Sequence, residues 1–397
     1  MRSVEEALDA ILASATLTAT EWVPLDRCAG RVLASHAVTA ATDVPPFANS
    51  SMDGFALRAA DTPGRLRLVG EVAAGSGVTQ PLEPGTAVRI MTGAPLPPGA
   101  DTVVPLEEAV ESKRWVRVPA APSGTYVRPA GLDTRAGDLV ELSAEPLTPA
   151  AIAVLASLGI GEVEVRRRPR VAILSTGDEL APPGAALAPG QIHDANSAAL
   201  AAAVADAGGE AVILPIGPDD PAAIEGLVRW GTAVGDLLVA SGGVSVGRHD
   251  HVRAVIERLG SLEFWRIRVQ PGKPLAYGLL EDRPVIGLPG NPVSALVTFE
   301  LFVRPLLRAM LGLPGDGRLR VRARAEEAMA KDPERRAYLR VVVREEAGEY
   351  VARSAGGQAS SQLRPLAAAN ALLVVPEGEP AAEPGRTYDA LLLGAIH

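Results

Sequence analysis

The spacing of apolar residues changes along the chain and predicts different structure in different regions. Residues 4–14 place apolar side chains at helical intervals behind early acidic residues, which predicts a short amphipathic helix. A second helix is predicted from Thr148, with Pro149 in its first position and Gly159 as its stop. The early and middle parts of the chain are therefore partly helical.

Residues 43–135 have a different composition, rich in glycine and proline, with short apolar runs such as 65–72 and 86–91. Such runs between turn residues are typical of β-strands. We interpret this stretch as a β-rich module inserted into a helical linking domain, which is formed by residues 1–42 and 136–167.

Residues 168–314 alternate short apolar runs with helical patterns. The apolar runs are VAILS, EAVILPIG, DLLVASGG, FWRIRV and PVIGLPG, and the helical ones lie between or after them. This alternation predicts an α/β domain, a parallel sheet with helices on both faces. Because ligands of such sheets bind beyond the carboxyl ends of the strands, the loops of interest are 175–180, 241–247 and 288–292.

After residue 314 the strict alternation of apolar and polar residues returns. It is clear in RLRVRARA and in YLRVVVREEAGEYVARSA, where Gly348 is expected in a hairpin turn. Residues 315–397 are therefore predicted to form a small, barrel-like β domain.

Composition excludes several classes of protein. The net charge of −9 and the pI near 5.3 argue against nucleic-acid or membrane partners, which favour a basic face. Cys28 is the single cysteine and there are only five histidines, so an internal disulfide and a Cys/His zinc cluster are not expected. The acidic start of the chain does not resemble a signal peptide, and no apolar run approaches the roughly 18 residues of a membrane span. We expect a cytoplasmic protein.

The loop SGGVSVG is a candidate anion site. Its Gly242, Gly243, Ser245 and Gly247 would expose backbone N–H groups between a strand and a helix, which suits phosphate or another oxyanion. A plain glycine-rich turn explains the same string equally well. The loop has neither the Walker pattern nor the spacing of a dinucleotide fingerprint.

The loop LPGNPVS is a second candidate. Pro289 and Pro292 stiffen it, Asn291 is expected to cap the following helix, and Ser294 adds a hydroxyl in the first turn. The positive end of the helix dipole would then face the loop. A rigid strand-to-helix connection is the alternative interpretation.

Lysine is rare in this chain, which makes Lys273 informative. Lys113, Lys273 and Lys331 are the only lysines among 38 basic residues, and Lys273 lies between two prolines in PGKP. A compact ammonium group suits an oxyanion as a point charge. We favour a specific anion contact over a surface ion pair.

Acidic residues recur in the glycine- and proline-rich loops. They are Asp53, Asp133, Glu179, Asp219, Asp220 and Asp250. Each is also a normal helix-cap or turn residue, and for Asp219 and Asp220 capping is the favoured interpretation. Carboxylates beside a phosphate would repel it unless a cation lies between them, so a hard cation such as Mg²⁺ would reconcile the acids with an anionic ligand.

Taken together, these segments resemble the molybdopterin molybdotransferase (MoeA) family, to which the E domain of gephyrin belongs. The strings that carry the resemblance are DVPPFANSSMDGFA, RIMTGAPLPPGADTVVPLEE, VRPAGLDTRAGD, STGDEL, SGGVSVGRHD, PGKP, LPGNPVSALVTFEL and GGQASSQLRPLAAANALLVVP. The resemblance implies a four-domain homodimer that inserts molybdate into adenylylated molybdopterin and releases AMP with Mg²⁺. It also implies an active site between the α/β domain of one subunit and the inserted module of the other.

Carried over by position, the resemblance assigns roles to individual residues. Asp53, Thr92, Asp133 and Lys273 fall on catalytic positions, and Glu179, Asp250 and either Asp219 or Asp220 on acidic positions suited to the metal. For the molybdate pocket it points to Lys273, Ser294, Arg340 and one of Ser360 or Ser361. One departure is Gln270, where many members have lysine; either molybdate binds more weakly or an arginine such as Arg248 or Arg268 compensates.

Two other functions are considered. The preceding step, adenylylation of molybdopterin by ATP, uses a related α/β domain, but that enzyme resembles only the central third of this chain; it is a possible donor of the adenylylated pterin by direct handover. A non-catalytic scaffold of the gephyrin type is the second alternative. The presence of Asp53, Glu179 and Lys273 favours an enzyme over a scaffold.

Overall fold

The computed structural model describes residues 1–75, 77, 80–243 and 251–396, with the backbone alone at position 265. The chain divides into two compact units, Glu21–Val165 and Met1–Thr20 with Arg166–His397. The domain limits predicted from the sequence are finer than this division and stay predictions. Within the described ranges, every helix is too short or too polar to span a bilayer.

The first helix, α1, spans Val4–Leu12 and belongs to the larger unit. Ser3 caps it by accepting a hydrogen bond from the backbone of Glu6, whose side chain accepts one from Ser3 in return. The apolar face predicted from the sequence is buried at Val4, Ala7 and Ile11. This confirms the first predicted helix.

The smaller unit is rich in β-structure, as predicted. Its strands are β1 Thr20–Pro24, β2 Ala37–Thr39, β3 Asn49–Ser50, β4 Gly54–Leu57, β5 Gly64–Val72, β6 Thr86–Ile90, β7 Thr102–Pro105, β8 Val110–Ser112, β9 Trp115–Val118, β10 Val127–Arg128, β11 Leu139–Glu141 and β12 Glu162–Arg166. Six of them form a sheet in the order β7-β4-β6-β5-β9-β8. Helix α2, Pro149–Ser157, is capped by the Thr148 hydroxyl, and Gly159 follows it with φ +78°, which confirms the second predicted helix.

The larger unit contains the predicted α/β domain. Its elements are β13 Arg170–Ser175, β14 Leu180–Ala181, β15 Ile192–His193, α3 Ala195–Asp206, β16 Glu210–Ile213, α4 Pro221–Val234, β17 Leu237–Ser241, α5 His251–Leu259, β18 Ser261–Arg266, β19 Val269–Gln270, β20 Pro274–Leu280, β21 Arg283–Leu288 and α6 Pro292–Thr298. The central sheet has the order β16-β13-β17-β21-β20-β18. The side chains of β17 are all buried, as expected where helices cover both faces.

The sheet is not parallel throughout, which corrects the expectation. Strands β16, β13, β17 and β21 are parallel, but β20 pairs antiparallel with both β21 and β18. The reason is a two-residue turn between β20 and β21, in which Glu281 and Asp282 both adopt positive φ. Such a turn makes a hairpin, and neither residue is the glycine or asparagine that would have signalled it.

After α6 the chain continues as a π-helical segment, Phe299–Val303, and then as α7, Arg304–Met310. Glu300 in the π segment accepts hydrogen bonds from Arg304 and Arg318, and both arginines also bond the carboxylate of Asp206. Burial alone would raise the pKa of Asp206, but the two guanidinium groups outweigh it and the pKa lies below its usual value. This network joins the end of α3, the π-helical segment, the start of α7 and the chain just before β22.

The C-terminal strands close into a small barrel, as predicted. The elements are β22 Arg320–Ala325, β23 Met329–Ala330, β24 Arg336–Glu346, β25 Glu349–Ser354, α8 Leu363–Ala368, β26 Ala371–Val375, β27 Ala381–Ala382 and β28 Thr387–Leu392. The sheet order is β19-β24-β25-β22-β28-β26, and a further pairing of β24 with β26 closes the ring. Gly348, with φ +83°, lies in the hairpin turn between β24 and β25.

Candidate active site

A cavity of about 630 Å³ opens at the carboxyl ends of β13, β17 and β21. Ser175, Ser241 and Leu288 lie side by side in the sheet at these ends, so the loops that follow them meet at one edge. This is the edge at which the sheet topology predicts a ligand. The cavity is lined by Thr176, Gly177, Glu179, Leu180, Ile192, His193, Asp194, Ala195, Asn196, Asp219, Ser241, Gly242, Gly243, Pro274, Pro289, Gly290, Asn291, Pro292 and Ser361.

Glycine is required where the two predicted anion loops approach each other. Gly242 has φ +93°, and a Cβ there would lie 3.0 Å from the carbonyl oxygen of Thr176. A Cβ on Gly290 would lie 3.7 Å from the Cα of Gly242, so the two backbones are in contact distance. Ser245, Gly247, Asp250 and Arg248, which the sequence analysis singled out, lie outside the described residues.

Two residues of the cavity, Asp194 and Asn196, were not predicted from the sequence as site residues: Asn196 begins a predicted helical segment, and Asp194 lies two residues before it. Asp194 is 4% exposed and accepts hydrogen bonds from Ser175, Ser197 and the backbone of α3. Asn196 donates from Nδ2 to the hydroxyl of Ser241 and to the carbonyl of Gly290, each at 2.7 Å. A polar first helical turn directly behind a strand end was the available signal.

Two of the predicted acidic residues face this cavity. Glu179 is exposed in the loop after β13, and Asp219 lies before α4, where its backbone N–H donates to Asp178 at 3.1 Å. Asp220, in contrast, caps α4 by accepting a hydrogen bond from Ala223 at 2.8 Å, as the capping interpretation predicted. Glu179 and Asp219 therefore both line the cavity.

These carboxylates fit a magnesium ion of the kind that substrate phosphates help to hold. Mg²⁺ prefers oxygen ligands and is commonly bound by one or two carboxylates together with phosphate oxygens and water. Among the described residues, no cluster of three or more His, Cys, Asp or Glu side chains could hold a metal by itself.

Arg340 is the most unusual charged group of the barrel. It is 1% exposed, it donates to the carbonyls of Gly357 and Ala359 at 2.9 and 3.2 Å, and its buried Nε has no hydrogen-bond partner. Burial lowers the pKa of this guanidinium, and among the described acidic residues none pairs with it. A buried cation without a counter-ion is costly, so this site is suited to an anion.

The loop that covers Arg340 is tied to the helix start of the α/β domain. Asn291 lies at the N-cap position of α6 as predicted, but its side chain does not cap the helix; its Nδ2 donates instead to the Ser360 hydroxyl at 3.0 Å. The backbone N–H of Val293 donates to the Ser360 carbonyl. Ser361 lines the cavity, and Ser294 is buried in the first turn of α6.

Lys273 is exposed, directly before Pro274 of the cavity wall. Within the described part of the chain its ammonium group has no ion-pair partner, so the surface ion pair considered as an alternative is absent there. Gln270 is engaged, since its Oε1 accepts a hydrogen bond from the backbone of Asp332 at 2.9 Å. Arg268, one of the two arginines considered as compensation for Gln270, donates to the carbonyl of Met1.

The remaining predicted residues lie in the smaller unit. Asp53 and Thr92 are in direct contact, and the backbone N–H of Thr92 and then its hydroxyl lower the pKa of Asp53 below its usual range. Asp133 is exposed, and its backbone donates to the carbonyl of Val44. The structure thus pairs Asp53 with Thr92 and holds Asp133 through its backbone.

Comparison with known proteins gives matches over nearly the whole chain. The family models described as MoeA N-terminal region (domain I and II), probable molybdopterin binding domain and MoeA C-terminal region (domain IV) match residues 2–159, 172–309 and 322–393. The chain is 39% identical to molybdopterin molybdenumtransferase 2 of Mycobacterium tuberculosis, covering 95% of this chain and 96% of that one. It is 38% identical to a molybdopterin molybdenumtransferase of Nostoc sp., covering 94% and 88%.

A solved structure is similar over the same extent. The crystal structure of a molybdopterin biosynthesis MoeA protein from a Pyrococcus species superimposes with a TM-score of 0.85 at 34% sequence identity. The match covers 99% of both chains. Sequence and fold therefore agree over the full length.

Proposed function

Because the chain belongs to the MoeA family, we propose that it is a molybdopterin molybdenumtransferase. The reaction proposed is insertion of molybdate into the dithiolene of adenylylated molybdopterin, with cleavage of the phosphoanhydride and release of AMP. The relatives named above carry this activity in their names, and the fold and loops of this chain support the same chemistry.

The observation that carries the proposal is Arg340. A guanidinium that is 1% exposed and lacks a described counter-ion needs an anion to offset its burial. Arg340 donates to the loop that holds Ser360, and Ser360 in turn bonds Asn291 on the wall of the 630 Å³ cavity. An oxyanion near Arg340 would therefore lie beside a cavity large enough for a nucleotide-sized ligand.

The cavity supplies the groups that a phosphoanhydride requires. Exposed backbone and polar side chains around Gly242, Gly243 and Asn291 suit phosphate oxygens, and Lys273 beside Pro274 adds a positive charge. Ser361 adds a hydroxyl group to the cavity wall, and Ser294 lies buried in the first turn of α6. Positioning of two anionic reactants against such fixed dipoles and charges would supply most of the acceleration.

Magnesium is part of the proposal. Glu179 and Asp219 are the described residues that would hold it, and Asp250 and Asp220 are further candidates from the sequence. When bound, the ion would neutralise charge on the phosphate oxygens and on the leaving AMP. The chain's own residues would orient the ligand.

We further propose a homodimer in which Asp53, Thr92 and Asp133 of one subunit complete the site of the other. The two short hydrogen bonds from Thr92 keep the Asp53 carboxylate ionised and pointing in one direction. A carboxylate with a fixed charge would attract a cation that accompanies the phosphates. Without that cation it would repel the phosphates. This arrangement follows the family resemblance, and it explains why an exposed carboxylate is held so firmly.

The decisive experiment is to add molybdate to purified protein that carries adenylylated molybdopterin. We expect AMP release that depends on both molybdate and Mg²⁺, while EDTA abolishes it. A parallel assay with ATP and free molybdopterin tests the adenylyltransferase alternative. ATP consumption without molybdate-dependent AMP release would replace the proposed function by that alternative.

A further inference from the structure

Asn196 joins two loops of the cavity through one side-chain amide. Its Nδ2 donates to the Ser241 hydroxyl and to the Gly290 carbonyl, both at 2.7 Å. Ser241 ends β17, and Gly290 follows β21, the neighbouring strand in the sheet. A single amide thus bridges the loops that leave two adjacent strands.

The bridge is reinforced on both sides. The Ser241 hydroxyl also reaches the carbonyl of Pro289 at 3.5 Å, and the backbone N–H of Gly242 donates to Leu288 at 3.1 Å. The spacing of the two backbones is therefore set by several contacts across the same gap. Of the contacts named here, the one made by the Asn196 amide comes from a third element, the first turn of α3.

Asn196 is itself firmly placed. Its backbone N–H donates to Oδ1 of Asp194 at 3.0 Å, and that buried carboxylate also holds Ser175 and Ser197. Asp194 is the N-cap of α3, so the helix start cannot shift without breaking these bonds. The anchored start of α3 therefore holds the backbone connections that leave two neighbouring strands.

We propose that Asn196 is a positioning residue that holds the Gly242–Gly243 and Pro289–Asn291 turns at a fixed spacing, so that a nucleotide phosphate binds in the cavity against both turns. This inference rests on the proposed function, in which the cavity holds the AMP part of the substrate. Asn196 acts through the backbone it holds. Its removal would loosen the spacing of the two turns without unfolding them, because the strands that carry them remain paired.

The test compares Asn196→Ala with Asn370→Ala by calorimetric titration of AMP. Asn370 is a matched control because its amide also donates to two carbonyls, those of Val343 and Ala395, but it lies in the barrel. We expect N196A to weaken AMP binding at least tenfold and N370A to leave it unchanged. Both variants are expected to lose thermal stability, so loss of stability alone does not predict the difference.

A second measurement separates positioning from general damage. The rise in Tm that molybdate alone produces in the wild type should persist in N196A, since the hydrogen bonds of Arg340 to Gly357 and Ala359 do not involve Asn196. An N196A variant that binds AMP like the wild type, or that loses AMP and molybdate binding together, would overturn the inference, as would a wild type that binds no AMP. A wild type that binds AMP but shows no molybdate-dependent AMP release would overturn the proposed function alone.

Discussion

One carboxylate oxygen of Asp53 accepts two hydrogen bonds from Thr92, from its backbone N–H at 2.6 Å and from its hydroxyl at 2.7 Å. The two residues meet because Asp53 precedes β4 and Thr92 follows β6, and these strands pair antiparallel with Gly54 opposite Ile90. A contact between residues 39 positions apart is therefore a product of the sheet register.

The Asp53–Thr92 contact predicts a pH dependence. Hydrogen bonds from Thr92 lower the pKa of Asp53, so the wild-type carboxylate stays ionised below its usual range. Thr92→Val removes the hydroxyl but keeps the N–H, so the pKa should rise partway. We expect the acidic limb of the pH–rate profile for AMP release to move to higher pH in T92V. Thr125→Val, which removes a hydroxyl bonded to Pro122 in the same unit, should leave the profile unchanged.

Removal of the Asp53 charge should affect the reaction far more than stability. Asp53 is exposed, so Asp53→Asn is expected to leave the free energy of unfolding within about 0.5 kcal/mol. The rate of AMP release should fall about 100-fold, the common cost of losing one preorganised electrostatic contact. Asp101→Asn is the control, since that exposed carboxylate also accepts a backbone hydrogen bond, from Ala59. Equal rates in D53N and the wild type would remove Asp53 from the site.

Arg340→Met should separate anion binding from folding. The change removes a buried charge, which favours the folded state. It also leaves the carbonyls of Gly357 and Ala359 without their donor, which costs about 1–3 kcal/mol of stability each. These effects oppose each other, so we expect a change in unfolding free energy below about 2 kcal/mol. Molybdate should raise the Tm of the wild type and not that of R340M. A molybdate-induced shift of equal size in both proteins would contradict this role of Arg340.

At Lys273 an effect on the reaction is easier to separate from an effect on folding, because its side chain is exposed and has no ion-pair partner in the described part of the chain. Lys273→Met is expected to leave unfolding within about 0.5 kcal/mol of the wild type. The molybdate-dependent rate should fall at least about tenfold, since an ammonium-to-oxyanion contact contributes about 1.5–3 kcal/mol. Lys113→Met changes another exposed lysine, in the smaller unit, and should leave the rate intact.

The network around Asp206 predicts how acid affects stability. Its pKa is lowered in the folded protein, so its contribution to stability is complete above about pH 4, the usual value, and is lost as the pH falls through the lower folded pKa. Asp206→Asn should destabilise the protein at neutral pH by up to about 1 kcal/mol, because the carboxylate is more than half exposed. Chemical denaturation at several pH values should then show a smaller loss of stability on acidification in D206N than in the wild type.

Local patterns in the sequence predicted the helices well. The Thr148 cap, the Pro149 start and the glycine after α2 are all present, because capping involves only residues three or four positions apart. The hairpin at Gly348 was predicted for the same reason. Strand β20 was missed because its turn is Glu281–Asp282, in which Glu281 is a residue that rarely adopts positive φ, so the Asn-Gly or Asp-Gly signal of a hairpin was absent.

The site could be predicted only in part. Its loops were found because parallel strands bring their carboxyl ends to one edge, and the cavity lies there. The resemblance to the family named Arg340, but its burial and its lack of a described counter-ion depend on how the barrel closes. Asn196 was overlooked since its partners, Ser241 and Gly290, are 45 and 94 residues away.

The sequence by itself determined the types of element, the family and the acidic, lysine-poor chemistry of the chain, since these depend on residue identity and short-range spacing. Tertiary structure alone decided that Asn291 holds Ser360 instead of capping its helix, and that Asp220 caps α4 while Asp219 lines the cavity. The physical reason is that a polar side chain takes whichever partner the fold brings within about 3 Å. Its partners are therefore known only when distant segments have packed.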